Sequence, residues 1–168
     1  MNIELKSEHL SEAELEDLCS HAEFLELSER AWEVRERSYS PKAGKHTSVG
    51  CAVMDDEGNV FIGTNIKHRF NITDPHAEMV ALFNMVAAGG ASAVVLFVAA
   101  ERLNFVPCGR CMDWAYELGA KSTKHIHVKG MRGVKTIEES DIIICSQAHR
   151  EATITVRHFR DLMPLYPY

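Results

Sequence analysis

Two short groups of residues carry side chains able to do chemistry together: His76-Ala77-Glu78 and Pro107-Cys108-Gly109-Arg110-Cys111. Cysteines three residues apart on a helix turn both sulfurs toward one point. A helix N-terminus at that place favours the thiolates that bind metal. His76 completes a set of three zinc-type ligands and leaves a fourth tetrahedral position for water. Such a site brings the pKa of that water to about 7, so hydroxide is available at neutral pH. Glu78, two residues beyond His76, can carry protons between that water and a reacting group. Taken singly, each piece has a plainer use. A lone Cys-x-x-Cys serves equally as a redox pair or as half of a structural zinc site. A lone His76 reads as a helix-start histidine, and a lone Glu78 as a first-turn carboxylate. Their order, spacing and context together favour a catalytic zinc site.

These side chains need helices that begin at the right place. Asp74-Pro75 predicts a helix start with Asp74 as cap and Pro75 in the first position, ended by Gly89-Gly90. Pro107 predicts a second helix, running to about Leu118 and stopped by Gly119. Upstream, residues 49–54 and 60–66 read as two strands joined by the turn Asp55-Asp56-Glu57-Gly58. Residues 93–100 are continuously apolar, which suits a central strand covered on both faces. A short strand is expected at 125–129. Further strands are possible at 141–145 and 151–156, and a helical turn is expected near 158–163. The Ser11-Glu12-Ala13-Glu14 capping pattern, followed by Leu15, Leu18, Ala22, Leu25 and Trp32, predicts one long helix over about 11–37. A strand hairpin followed by alternating helix and strand predicts a mixed sheet flanked by helices, in a single α/β domain over 1–168.

Bulk properties narrow the functional classes. The 168 residues suffice for one sizeable core, and the formal net charge of -6 argues against a nucleic-acid partner. The first residues lack the basic-then-apolar layout of a signal peptide, and no apolar run is long enough to span a bilayer. A cytoplasmic protein with no membrane partner is the expectation. Five cysteines, an odd number, argue for free or metal-bound thiols rather than a disulfide framework.

The spacing H-x-E…P-C-x-x-C resembles the cytidine deaminase superfamily, and the rest of the chain narrows the likeness to the small cytidine deaminases and blasticidin-S deaminases. Ser38-Tyr39-Ser40-Pro41, Val49-Gly50-Cys51-Ala52, Phe61-Ile62-Gly63-Thr64-Asn65-Ile66 and Leu162-Met163-Pro164 with Tyr166 are similar to segments of that group. The resemblance implies a three-layer α/β/α sandwich around a mixed five-stranded sheet, Zn2+ as cofactor, and a homotetramer (or homodimer). It implies hydrolytic release of ammonia from a small aminated heterocycle, most readily a cytosine nucleoside or analogue. It also implies that Asn65 and the backbone of Ala77 contact substrate and that Tyr166, or Tyr168, closes a neighbouring subunit's pocket. Simple tail packing is an equal reading of the two tyrosines.

Three departures bear on specificity. His76 stands where the small group has Cys, and Met79 where it has Arg. Zinc with two thiolates and a neutral imidazole is net neutral and needs no helper cation, so the two changes are consistent. Lys67 stands where cytidine deaminases carry a sugar-binding Glu, and a cation accepts no hydrogen bonds from hydroxyls. Lys67, with His68 and Arg69, is either a substrate-binding group for a carboxylate or phosphate or a solvated basic turn. Thr47 replaces a Phe ahead of the first hairpin strand. Two other readings compete: a tRNA adenosine or guanine deaminase-like enzyme, and a non-catalytic zinc-stabilised binding module.

Overall fold

The structure, a computed structural model, describes residues 4–18, 21–41, 46–69, 74–90, 92–103, 105–126 and 135–163. Its elements in chain order are β1 (Glu4–Lys6), α1 (Glu12–Leu18), α2 (His21–Arg35), β2 (Val49–Asp55), β3 (Val60–Thr64), α3 (Ala77–Ala87) and β4 (Ala93–Ala100). There follow α4 (Gly109–Leu118), β5 (Lys121–Ile126), β6 (Lys135–Ser140), β7 (Ile143–Ala148), β8 (Thr153–His158) and α5 (Phe159–Leu162). The helix expected over 11–37 is met by α1 and α2, on either side of residues 19 and 20, which lie outside the described residues.

The main sheet runs in the order β1-β8-β7-β4-β2-β3. It is mixed: β4 pairs parallel with β7 and β1 parallel with β8, and the remaining pairs are antiparallel. It has six strands where five were expected. The extra strand is β1, whose three residues pair with Thr153, Ile154 and Thr155. Of the strand expected at 125–129, residues 127–129 lie outside the described residues, while His125 and Ile126 end β5, which starts at Lys121 and does not join the main sheet. It pairs with β6 as a separate antiparallel hairpin, and β7 takes the place beside β4.

The alternation of side chains along β2 explains the layers. Cys51 and Val53 face one core with Ala77, Ala81, Leu82 and Met85 of α3 and Met112 and Ala115 of α4. Ala52 and Met54 face a second core with Phe24, Leu27, Ala31 and Trp32 of α2. A strand covered on both faces must be apolar at every position, and β2 is buried throughout. Gln147 locks α2 onto the sheet: its Oε1 accepts from Ser28 Oγ at 2.6 Å and from Trp32 Nε1 at 2.5 Å. These buried donors would otherwise lack partners, at a cost of about 1–3 kcal/mol each.

Two glycines set how closely the helices approach. A Cβ on Gly50 would lie 1.9 Å from the Ala31 carbonyl oxygen of α2. A Cβ on Gly63 would lie 2.3 Å from Ala81 N and 2.5 Å from the Ala77 carbonyl oxygen of α3. Both obstacles are backbone, so only a shift of the whole helix could relieve them. Gly63→Ala is therefore expected to destabilise the fold by about 1–3 kcal/mol, read as a lower urea midpoint. Gly109→Ala is the comparison, because its added Cβ meets nothing within 4 Å. Equal midpoints for the two variants would mean that close approach at Gly63 does not hold α3.

Candidate metal centre and its cavity

Both chemically active segments begin helices, but not where the prolines suggest. The N-cap of α3 is His76, in extended conformation, and Asp74 does not cap. The Asp74 carboxylate is committed elsewhere: Oδ1 accepts the His68 N–H at 2.5 Å and Oδ2 lies 3.4 Å from Lys67 Nζ. The N-cap of α4 is Cys108, also extended, which puts Cys111 three residues into the helix. An N-cap side chain and the one three residues on lie on the same side of a helix start, the geometry a capping box uses. Here the two side chains are thiols.

The result is a compact triangle. His76 Nδ1 lies 3.4 Å from Cys108 Sγ and 3.4 Å from Cys111 Sγ, and the sulfurs are 3.6 Å apart. Tetrahedral zinc, with bonds of about 2.0–2.1 Å to nitrogen and 2.3 Å to sulfur, separates neighbouring ligand atoms by about 3.6–3.8 Å. The donor set and its spacing fit that ion. His76, Cys108 and Cys111 form the one group of this kind among the described residues. Cys111 is buried and Cys108 exposed, so the cluster is open on the Cys108 side.

The electrostatics suit a metal. Burial, and then the nearby Arg110 and Lys67 charges, lower the His76 pKa, which leaves the imidazole neutral and able to ligate. Burial and then Glu78 push the Cys111 thiol up. A bound cation reverses that sign for a coordinating sulfur. Glu78 is only 2% exposed. Burial raises its pKa, partly offset by its own backbone N–H and by the Cys111 sulfur.

A cavity of about 300 Å³ opens beside the cluster. Its wall holds His76, Ala77, Glu78 and Cys108 from the two helix starts, and Thr47, Val49, Asn65 and Lys67 from around the β2–β3 hairpin. Asn65 is buried and structurally engaged: Oδ1 accepts the Val49 N–H at 2.7 Å and Nδ2 donates to the Thr47 carbonyl at 2.8 Å. Tyr166 and Tyr168 lie outside the described residues. Sequence reasoning missed Arg102, Phe105 and Val106, which complete the wall. The available signal was position: they lie between the end of β4 and the start of α4, where α/β sheets bind ligands.

It also missed Arg110. The expectation was a neutral metal site with no helper cation, yet Arg110 Nη2 donates to the Asp74 carbonyl at 2.5 Å. This bond ties the start of α4 to the segment just ahead of His76. It also brings a positive charge near the thiols.

Residues 20–126 match the family described as the cytidine and deoxycytidylate deaminase zinc-binding region. The chain belongs to that family of zinc-binding deaminase domains, and its cofactor is Zn2+. A cytidine deaminase of Yersinia pestis (strain Pestoides F) is 31% identical over 87 residues, 51% of this chain and 28% of that protein. The chain thus spans under a third of the length of the curated relatives it matches. The cytidine deaminase of Burkholderia pseudomallei superposes with a TM-score of 0.66 at 24% identity, covering 88% of this chain and 98% of that one. That of Mycobacterium tuberculosis gives 0.62 at 20% identity, covering 86% and 97%. These likenesses establish the fold, an α/β sheet with helices on both faces. No helix among the described residues is long and apolar enough to cross a membrane.

Arg110→Met is expected to weaken zinc affinity about ten- to a hundredfold, measured by competition with a colorimetric chelator. Unchanged affinity would show that the bond to the Asp74 carbonyl does not help hold the ligand set together.

Proposed function

We propose that the protein is a zinc-dependent hydrolytic deaminase releasing ammonia from a small aminated heterocycle, most readily a cytosine nucleoside or analogue. The observation that carries this reading is the buried Glu78 beside a three-ligand cluster, at the wall of a cavity large enough for a small ligand. His76, Cys108 and Cys111 are the zinc ligands in this reading. Zinc, when bound there, supplies a Lewis acid that makes hydroxide available near pH 7.

Glu78 carries the protons. It accepts one from the attacking water and passes it to the ring nitrogen of the cyclic amidine. The water oxygen bonds to the amidine carbon, Glu78 then takes the remaining hydroxyl proton and gives it to the amine, and the carbon–nitrogen bond breaks as a carbonyl forms and ammonia leaves. Burial raises the Glu78 pKa, and a bound cation acts in the opposite sense. Ala77, wholly buried at the cavity wall, offers backbone to the heterocycle, and Asn65 fixes the wall's shape while contacting the sugar or its equivalent. A structural zinc site has no use for a proton carrier, and this weighs against a purely binding module.

The same reading includes a cytoplasmic location and a homotetramer with Tyr166 at a neighbour's pocket. Phe83, Val86 and Trp114 on α3 and α4 are large hydrophobic side chains left exposed, in keeping with an assembled state. Glu78→Gln is expected to keep zinc and fold while lowering ammonia release at least about a hundredfold. The measurement is coupled ammonia detection across cytidine, deoxycytidine, their monophosphates, blasticidin S, adenosine and guanine. Wild-type turnover by Glu78→Gln on any substrate found would sink the mechanism.

A further inference from the structure

Two positive side chains reach the Glu78 cavity from separate parts of the chain. Lys67 comes from just beyond β3, and Arg102 from just beyond β4. Their circumstances differ. Lys67 is part-buried and held by Asp74 at 3.4 Å, while the other Asp74 oxygen is held by the His68 N–H. Its position is fixed and its charge is partly offset.

Arg102 is exposed, and it makes no ion pair among the described residues. The adjacent carboxylate, Glu101, is turned to Arg35 Nη2 at 2.9 Å. Among the described residues of the wall, Glu78 is the one carboxylate, and it is buried at the metal end. The Asn65 carboxamide is already bonded to backbone on both its oxygen and its nitrogen. Apart from Glu78 and the ligand cluster, the charged side chains of the wall are Lys67 and Arg102, and both are cationic. A guanidinium has five donors, no acceptor, and a planar fork that matches the paired oxygens of a carboxylate or phosphate.

We propose that the substrate carries an anionic group, a carboxylate or phosphate, remote from the reacting amidine, and that Arg102 and Lys67 bind it. This rests on the deaminase reading above and adds a substrate class to it. The buried end, with Glu78 and the ligand cluster, takes the heterocycle. The exposed end takes the charge, where Arg102 forms the fork and Lys67, braced by Asp74, supplies a second charge. A neutral nucleoside fills the same cavity without meeting either cation.

The test reads binding separately from turnover. Zinc-loaded Glu78→Gln protein is titrated calorimetrically with cytidine, cytidine 5′-monophosphate and the 5′-carboxylate of cytidine, all at one ionic strength. At least one anionic ligand is expected to bind about tenfold or more tightly than cytidine. Its identity distinguishes phosphate from carboxylate. Adding Arg102→Ala to the Glu78→Gln protein is expected to bring the ratio of Kd values to within about threefold. Higher salt is expected to shrink the ratio in the parent and not in the double variant. The proposal is overturned if neither anionic ligand binds, if neither outcompetes cytidine, or if Arg102→Ala leaves the ratio intact. Ammonia release by the wild type from cytidine, without any anionic preference, overturns the anion site alone. Tight, Arg102-dependent binding of an anionic ligand that the wild type never deaminates supports the anion site and sinks the deaminase reading.

Discussion

One nitrogen and two sulfurs must stay between 3.4 and 3.6 Å apart although they come from segments 32 to 35 residues distant in the chain. Metal-site geometry tolerates errors of only about 0.5 Å, so the rest of the fold works as a jig. The sheet fixes the starting points, since β3 leads to α3 and β4 to α4. Gly63 lets α3 lie against the sheet at backbone contact. The edge-to-face pair of Phe83 and Trp114, with ring centroids 4.9 Å apart, sets the spacing between α3 and α4. Arg110 closes the arrangement by binding the carbonyl two residues before His76. Each device is local, and all of them act on the same few ångströms.

Two carboxylates four residues apart are driven in opposite directions. Asp74 is lowered, chiefly by the His68 backbone N–H and further by Lys67. Glu78 is raised by burial. Asp74 is thereby held toward its charged form, in which it positions a lysine, whereas burial holds Glu78 toward its protonated form. Environments that separate two like groups in this way also separate their roles.

Much of this was legible in the residues alone. The β2–β3 hairpin follows from its turn residues, and β4 from its unbroken apolar run, because strand burial writes itself locally. The ligand types and their spacing could be read for the same reason. What escaped were relations between distant segments. Asp74 has the chemistry of a cap, but a lysine and a backbone N–H compete for it in the fold and win. Arg102 joins the cavity only because β4 ends beside the β2–β3 hairpin. The β1 strand is three residues long and takes its register from β8, 149 residues away. Expecting a strand at 125–129 says nothing of the sheet it joins, because that is set by partners distant in the chain.

The β5–β6 hairpin leaves and rejoins the main body through a narrow neck. Ala120 donates to the Ala93 carbonyl at 2.8 Å, and Asp141 donates to the Ala120 carbonyl at 2.9 Å. Departure and return are thus stitched together at the margin of the sheet, before β7 takes up its parallel register with β4. The chain between the stitches is a detour that still touches the main body, since Tyr116 Oη donates to the Glu138 carbonyl at 3.3 Å and Arg160 pairs with Glu139 at 3.4 Å. Lengthening or shortening such a detour adds little closure entropy, because that cost grows only with the logarithm of its length. The neck is therefore a natural place for descendants of this fold to gain or lose an appendage, and for a protein engineer to splice one in.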